Sequence, residues 1–282
     1  MAIVRKPSLR ETAAAVAALA FLFSVWKIGA YALDGYENKK TYGEIRSVYY
    51  GPSAGASPFS PPLPDDPVLH SAPAEQRLVN PKFEPLLERN GDVVGWVRIE
   101  GTRIDYPVVQ AADNEYYLHR GVDGERNAAG SIFMDYRNDA GGKDRHLILY
   151  GHDMKNKTMF ANLLEYESRW NFENKATIEF DTLYADGRWA IFSAYTTTSS
   201  FDYIRTEFAS DEDFEQFLAA IQANSLHASD IEVSAEDTIL TLSTCSSAFE
   251  DARFVVHAKL LPPEEGSTFE PPAEAIQGEG RK

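Results

Sequence analysis

The apolar positions of this 282-residue chain follow three successive patterns. From residue 12 to 33 they form one nearly unbroken run, AAAVAALAFLFSVW, then Lys27, then IGAYAL. About 20 such residues carry a helix across a bilayer, so the run predicts a membrane span. Lys27 lies toward its C-terminal end, where the stem can reach the headgroups, and Trp26, Tyr31 and Tyr36 suit an interfacial belt. Arg5, Lys6 and Arg10 predict that residues 1–11 are cytoplasmic and that the rest of the chain lies outside. Ala30-Tyr31-Ala32 has the form of a signal-peptidase site, so a cleaved signal competes with a retained signal-anchor over 12–33. The length of the run favours the anchor.

The second pattern is the absence of one. Residues 34–74 are predicted to be an extracytoplasmic spacer. From residue 51 on, Pro52, Pro58, Pro61, Pro62, Pro64, Pro67 and Pro73 stand among Ser, Ala and Gly, a composition that buries no core and favours extended polyproline conformations. The tail, 262–282, is rich in Pro, Glu and Gly and is predicted to be disordered and acidic. Residues 75–261 remain as the folded domain, one domain by size.

In that domain alternation dominates. Strands are predicted at 93–99 (VVGWVRI), 104–110 (IDYPVVQ), 130–135 (GSIFMD), 146–151 (HLILYG), 175–180 (KATIEF), 188–198 (RWAIFSAYTTT), 238–245 (TILTLSTC) and 253–261 (RFVVHAKLL). Pro107 points to an edge or a bulge. Helical spacing is scarcer: 75–90, limited by Pro81 and Pro85; 159–166; and 211–222, with Ser210 as N-cap and Phe214, Phe217, Leu218 and Ile221 on one face. Many strands and few helices predict a mainly β fold, a mostly antiparallel barrel or sandwich.

Composition narrows the chemistry. A net charge of −16 offers no basic stripe for phosphates, so no nucleic-acid partner is expected. The single cysteine excludes an intrachain disulfide and a Cys-based metal cluster. Cys245 ends an alternating strand on the side of Thr241 and Ser243, opposite Leu240 and Leu242, which predicts a polar rather than a core setting. A hairpin with the last strand would bring Arg253 near it, where a guanidinium can favour a thiolate or hold an oxyanion; an ordinary hairpin with a surface arginine fits the same alternation. Of the six histidines, His152 stands out, displayed after Gly151 at the end of a buried-type strand. His70, His119, His146, His227 and His257 have structural or solvated readings.

LYGHDMKNKTMFANL (149–163) and TLSTC with the arginine that follows (241–253) together resemble the signature of sortases, and specifically of class B. Residues 90–118 and GSIFMDYRN (130–138) are similar to the same pattern, as is a helix-bearing insert before the cysteine strand. The resemblance covers roughly 75–261. It implies an eight-stranded β-barrel with an N-terminal helical extension and a helix before the cysteine-bearing strand. It further implies His152, Cys245 and Arg253 as catalytic residues and Ser243 as a substrate contact. The implied activity is cysteine transpeptidation at Gram-positive cell surfaces. A sorting signal on secreted proteins is cut between Thr and Gly through a thioester and joined to an amine of a peptidoglycan precursor, or of a pilin in polymerising members. No cofactor and no metal is expected. Among rivals, L,D-transpeptidases require a Ser-His-Gly-Cys motif that is absent, papain-type peptidases place Cys before His, and a non-catalytic surface-binding barrel would not need the three residues together.

Overall fold

The computed structural model describes residues 8–51, 79–141, 143–198, 200–245 and 251–262. They fall into two compact units that divide between Glu44 and Ile45. In the first, helix α1 (Leu9–Tyr49) contains the whole apolar run and is long and apolar enough to cross a membrane. It does not stop at residue 33. No proline stands between Pro7 and Pro52, so the helix continues through polar helix-forming residues to Tyr49. The expected spacer over 34–74 therefore loses its first part to helix, and residues 52–74 lie outside the described residues, as does the tail from 263.

The second unit starts earlier than residue 75. Its first residues, from Ile45, are the last turn of α1. Tyr49 stacks on Trp96 with ring centroids 4.0 Å apart and donates its hydroxyl to Asp181 at 2.8 Å. Arg46 donates to the Asp105 carbonyl at 2.9 Å. Burial of Ile45 and Tyr49 makes this turn part of the core rather than of a spacer.

The expected 75–90 helix is split by its prolines, and 75–78 fall outside the described residues. A 3₁₀ turn at Pro81–Phe83, capped by Asn80, leads into α2 (Glu84–Arg89). The strands are β1 (Val93–Arg98), β2 (Asp105–Val109), β3 (Ile132–Met134) and β4 (His146–Tyr150). A 3₁₀ run (Ala161–Glu167) and α3 (Arg169–Asn174) come next. Then follow β5 (Thr177–Thr182), β6 (Arg188–Thr198), α4 (Asp211–Ala223), β7 (Ile239–Cys245) and β8 (Ala252–Leu260). Every predicted strand is present, with its ends within two residues of those expected. The predicted 159–166 helix is a 3₁₀ run instead, because Met159 is held at φ 57° in a bridge with Asp153 and cannot start an α-helix.

The strands close into a barrel in the order β1-β2-β3-β4-β7-β8-β6-β5. The β2–β3 and β4–β7 pairs are parallel, the others antiparallel. Pro107 pairs only with β1; β3 bonds to β2 at Val108 and Val109, so the proline lies on a free edge as its missing N–H requires.

One expectation needs correction. The Thr241–Ser243 side of β7 is polar but not exposed: Thr241 is 0 % and Ser243 2 % accessible. The insert between β6 and β7 covers it. Phe214, Phe217, Leu218 and Ile221 of α4 pack in one cluster with Tyr203, Ile239 and Val255. Ser210 caps α4 by accepting from the Asp213 N–H, and three acids in the first turn suit the helix dipole.

Under that cover runs a buried hydrogen-bond chain whose direction is fixed at one end. The Arg205 carbonyl can only accept, so His146 Nδ1 donates to it at 2.5 Å. His146 Nε2 then accepts from Thr241 Oγ1 at 2.6 Å, and Thr241 accepts from His257 Nδ1 at 2.7 Å. His257 Nε2 accepts from Tyr195 at 2.9 Å. Both histidines are neutral in this chain. Burial lowers the pKa of His146 to about 4, and burial together with its neighbour His146 pushes His257 well below its ordinary value. Unfolded, each binds a proton below about pH 6.5, so stability is full above that pH and is lost as pH falls toward the folded values. We expect the denaturation midpoint to drop from about pH 7 to about pH 5, with a slope near 1.4 kcal/mol per pH unit for each histidine. A midpoint flat across that interval would contradict the neutral assignment.

Candidate active site

The parallel pairing of β4 with β7 decides the site. The register runs from His146 opposite Ile239 to Tyr150 opposite Ser243. Two residues further along each chain stand His152 and Cys245, so both reach the same end of adjacent, co-directional strands. Antiparallel β8 begins at that end and sets Arg253 opposite Cys245. Three positions separated by up to about a hundred residues thus lie at one rim of the barrel. Cys245 is the last residue of β7, and residues 246–250 lie outside the described residues.

At the rim Gly151 makes the turn. Its N–H donates to the Ser243 carbonyl at 3.2 Å, continuing the ladder by one bond. A Cβ there would meet Ile132 and come within 2.9 Å of the Phe160 ring, so the close approach requires glycine. The loop after it returns at once: Phe160 N–H donates to the His152 carbonyl at 3.0 Å, and Tyr106 accepts from Met159 N–H at 3.1 Å.

His152 is half-buried and held from the side. Its Nε2 lies 2.7 Å from the Leu118 carbonyl and must carry the proton, which leaves Nδ1 for chemistry. The exposed His119 ring lies nearly parallel to it at 6.1 Å. Arg253 is half-buried and donates to the Ala252 carbonyl at 3.2 Å; among the described residues nothing else engages its guanidinium. Ser243 does not open onto the rim: its hydroxyl shares a 2.9 Å hydrogen bond with Tyr203.

The alternation pattern assigned no role to the groups that seat the 203–205 segment. Asp135 is fully buried and accepts from Arg137 at 2.8 Å through two nitrogens, from Tyr150 at 2.9 Å and from Asn114 at 3.1 Å. Burial alone would raise its pKa; the Arg137 and Tyr150 hydrogen bonds outweigh that and hold it below the usual carboxylate value. Arg137 also donates to the Ile204 carbonyl at 2.8 Å. The insert is therefore pinned beside Ser243 at three successive residues, Tyr203, Ile204 and Arg205. The signal for this was present in GSIFMDYRN, where an acid and an arginine two apart follow an apolar run, but its partner lies in a distant segment.

We expect Arg137→Leu to cost about 2–4 kcal/mol by stranding a buried carboxylate, and Asp135→Asn combined with it to cost less than Arg137→Leu alone. Denaturant titration of the single and double variants decides this; strictly additive losses would contradict it.

Known proteins match the chain in sequence and in fold. The family profile described as Sortase domain matches residues 97–261. The chain is 35 % identical to Sortase B of Listeria monocytogenes over 243 residues, 86 % of this chain and 92 % of that protein. It is 42 % identical to Sortase B of Staphylococcus aureus over 188 residues, 66 % of this chain and 77 % of that protein. Among solved structures, sortase B from Bacillus anthracis in complex with AAEK1 superposes with a TM-score of 0.69 at 39 % identity, covering 82 % of this chain and 99 % of that one. A Staphylococcus aureus sortase B–substrate complex also gives 0.69, at 34 % identity, covering 81 % and 98 %.

Proposed function

The chain belongs to the sortase family, to its class B, and from that premise we propose how its residues divide the work. It is a cysteine transpeptidase that processes sorting signals, of a family of membrane-associated cell-surface enzymes. We assign Cys245 as nucleophile, His152 as proton carrier and Arg253 as oxyanion partner. The observation that carries the assignment is the β4–β7 register, which brings His152 level with Cys245, with Arg253 opposite.

In this reading the Cys245 thiolate attacks the threonine carbonyl carbon of the bond between Thr and Gly. A C–S bond forms, and the oxyanion is held by guanidinium N–H groups of Arg253. The C–N bond then breaks as His152 Nδ1 gives its proton to the leaving amine, while Nε2–H stays bonded to the Leu118 carbonyl. An incoming amine attacks the thioester, His152 takes its proton, and sulfur leaves as thiolate. Ser243, which the resemblance implies as a substrate contact, is closed off by Tyr203 and has no step in this reading. The acceptor is an amine of a cell-wall precursor, the substrates are secreted proteins bearing the signal, and α1 holds the enzyme at the membrane with residues 1–11 inside.

Thiolate and imidazolium titrate in opposite senses, so activity should be bell-shaped in pH. With a sorting-signal peptide, we expect Cys245→Ala to abolish cleavage and Arg253→Lys, which loses the forked donor geometry, to lower kcat/KM by about 10²-fold or more. Intact-mass spectrometry should find the acyl group on Cys245 in wild type. Full cleavage by Cys245→Ala would overturn the assignment.

A further inference from the structure

Beside His152 lies a cleft of about 430 Å³, lined by charged and aromatic side chains, to which the steps above give no task. Asp113, Glu115, Tyr116, His119, Arg120 and Arg126 line it. Its walls are fixed in advance. Asp113 accepts from the N–H groups of Glu115 and Tyr116 at 2.9 and 2.8 Å. The Arg120 guanidinium lies 4.7 Å from the Tyr116 ring centre and donates to the Gly124 carbonyl at 2.8 Å. Ser131 donates to the Arg120 carbonyl at 2.8 Å, and Asn127 N–H to the His119 carbonyl at 3.0 Å.

Two charged groups in this rigid frame are uncommitted. Among the described residues no hydrogen bond or ion pair engages the Glu115 carboxylate or the Arg126 guanidinium, and both are exposed. The cleft is also joined to the chemistry. His119 lines it and lies against the His152 ring, and Leu118, between Tyr117 and His119, holds His152 Nε2.

We propose that this cleft is the subsite of the second substrate, and that it takes a peptide acceptor carrying a carboxylate within a residue or two of its reacting amine. The proposal rests on the role assigned to His152 above. The second substrate must bring its amine to the histidine that will take its proton, and the cleft borders that histidine through His119. Arg126, with Arg120 beside it, meets the carboxylate. Glu115 draws in the ammonium, which loses one proton to solvent. The neutral amine then forms the C–N bond at the thioester carbon, the C–S bond breaks, and His152 Nδ1 receives the second proton. A cleft of mixed charge selects such an end over a simple amine or a simple anion.

The test uses the full chain, a sorting-signal peptide and two acceptors that share an amine, glycylglycine and glycylglycinamide. Acceptor kcat/KM is referred in each variant to its own rate of thioester formation. Wild type should prefer glycylglycine by about fivefold, the size expected of an exposed charge contact, and Arg126→Ala should remove the preference. Glu115→Gln should raise KM for both acceptors. Equal use of the two acceptors by wild type, or a preference that survives Arg126→Ala, overturns the proposal while leaving the thioester chemistry intact. Failure of wild type to form any thioester overturns the functional reading itself, and this one with it.

Discussion

The parallel contact between β4 and β7 is the constraint on which the site depends. Two strands far apart in sequence run side by side in the same direction, so whatever follows each emerges at the same rim. An antiparallel pairing would have sent His152 and Cys245 to opposite ends of the barrel. Parallel neighbours cannot be joined by a tight turn, and the chain between them here is long enough to hold β5, β6 and α4. The long connection returns the chain to β4 in the right direction, and it also supplies the cover over β7.

That cover explains why the polar side of β7 can be buried. Thr241 and Ser243 would each cost stability in a dry interior without partners. Thr241 is placed between two neutral histidines, and Ser243 against Tyr203. The same bonds attach successive residues of the insert to the barrel, so the energetics of burial and the placing of the rim are one arrangement. Arg137 belongs to both: it neutralises the buried Asp135 and holds the Ile204 carbonyl.

Much of this was legible in the sequence because alternation is a local signal. All the strands could be read from their period, α4 from its cap and its apolar face, and His152 from a glycine at the end of a strand. A hairpin reading of the last two strands set Arg253 near Cys245, as the register has it, while the roles of both came only from the resemblance. What could not be read depends on distant partners. The alternation of Thr241 and Ser243 says polar, and only α4 packing over them makes them buried. The continuation of α1 to Tyr49 rests on a ring that waits at Trp96. Met159 looked helical because its apolar neighbours have helical spacing, while its backbone is set by a bridge to Asp153. The Leu118 carbonyl leaves no trace in sequence, since any residue has one.

The central claim is that strand register makes His152 and Cys245 a working pair. The most direct measurement is the rate of alkylation of Cys245 by iodoacetamide as a function of pH, in wild type and in His152→Ala. A coupled pair titrates in two steps, so wild type should show two inflections and the variant one. Identical single-step profiles in the two proteins would show that the histidine and the thiol do not sense each other, and would contradict the account.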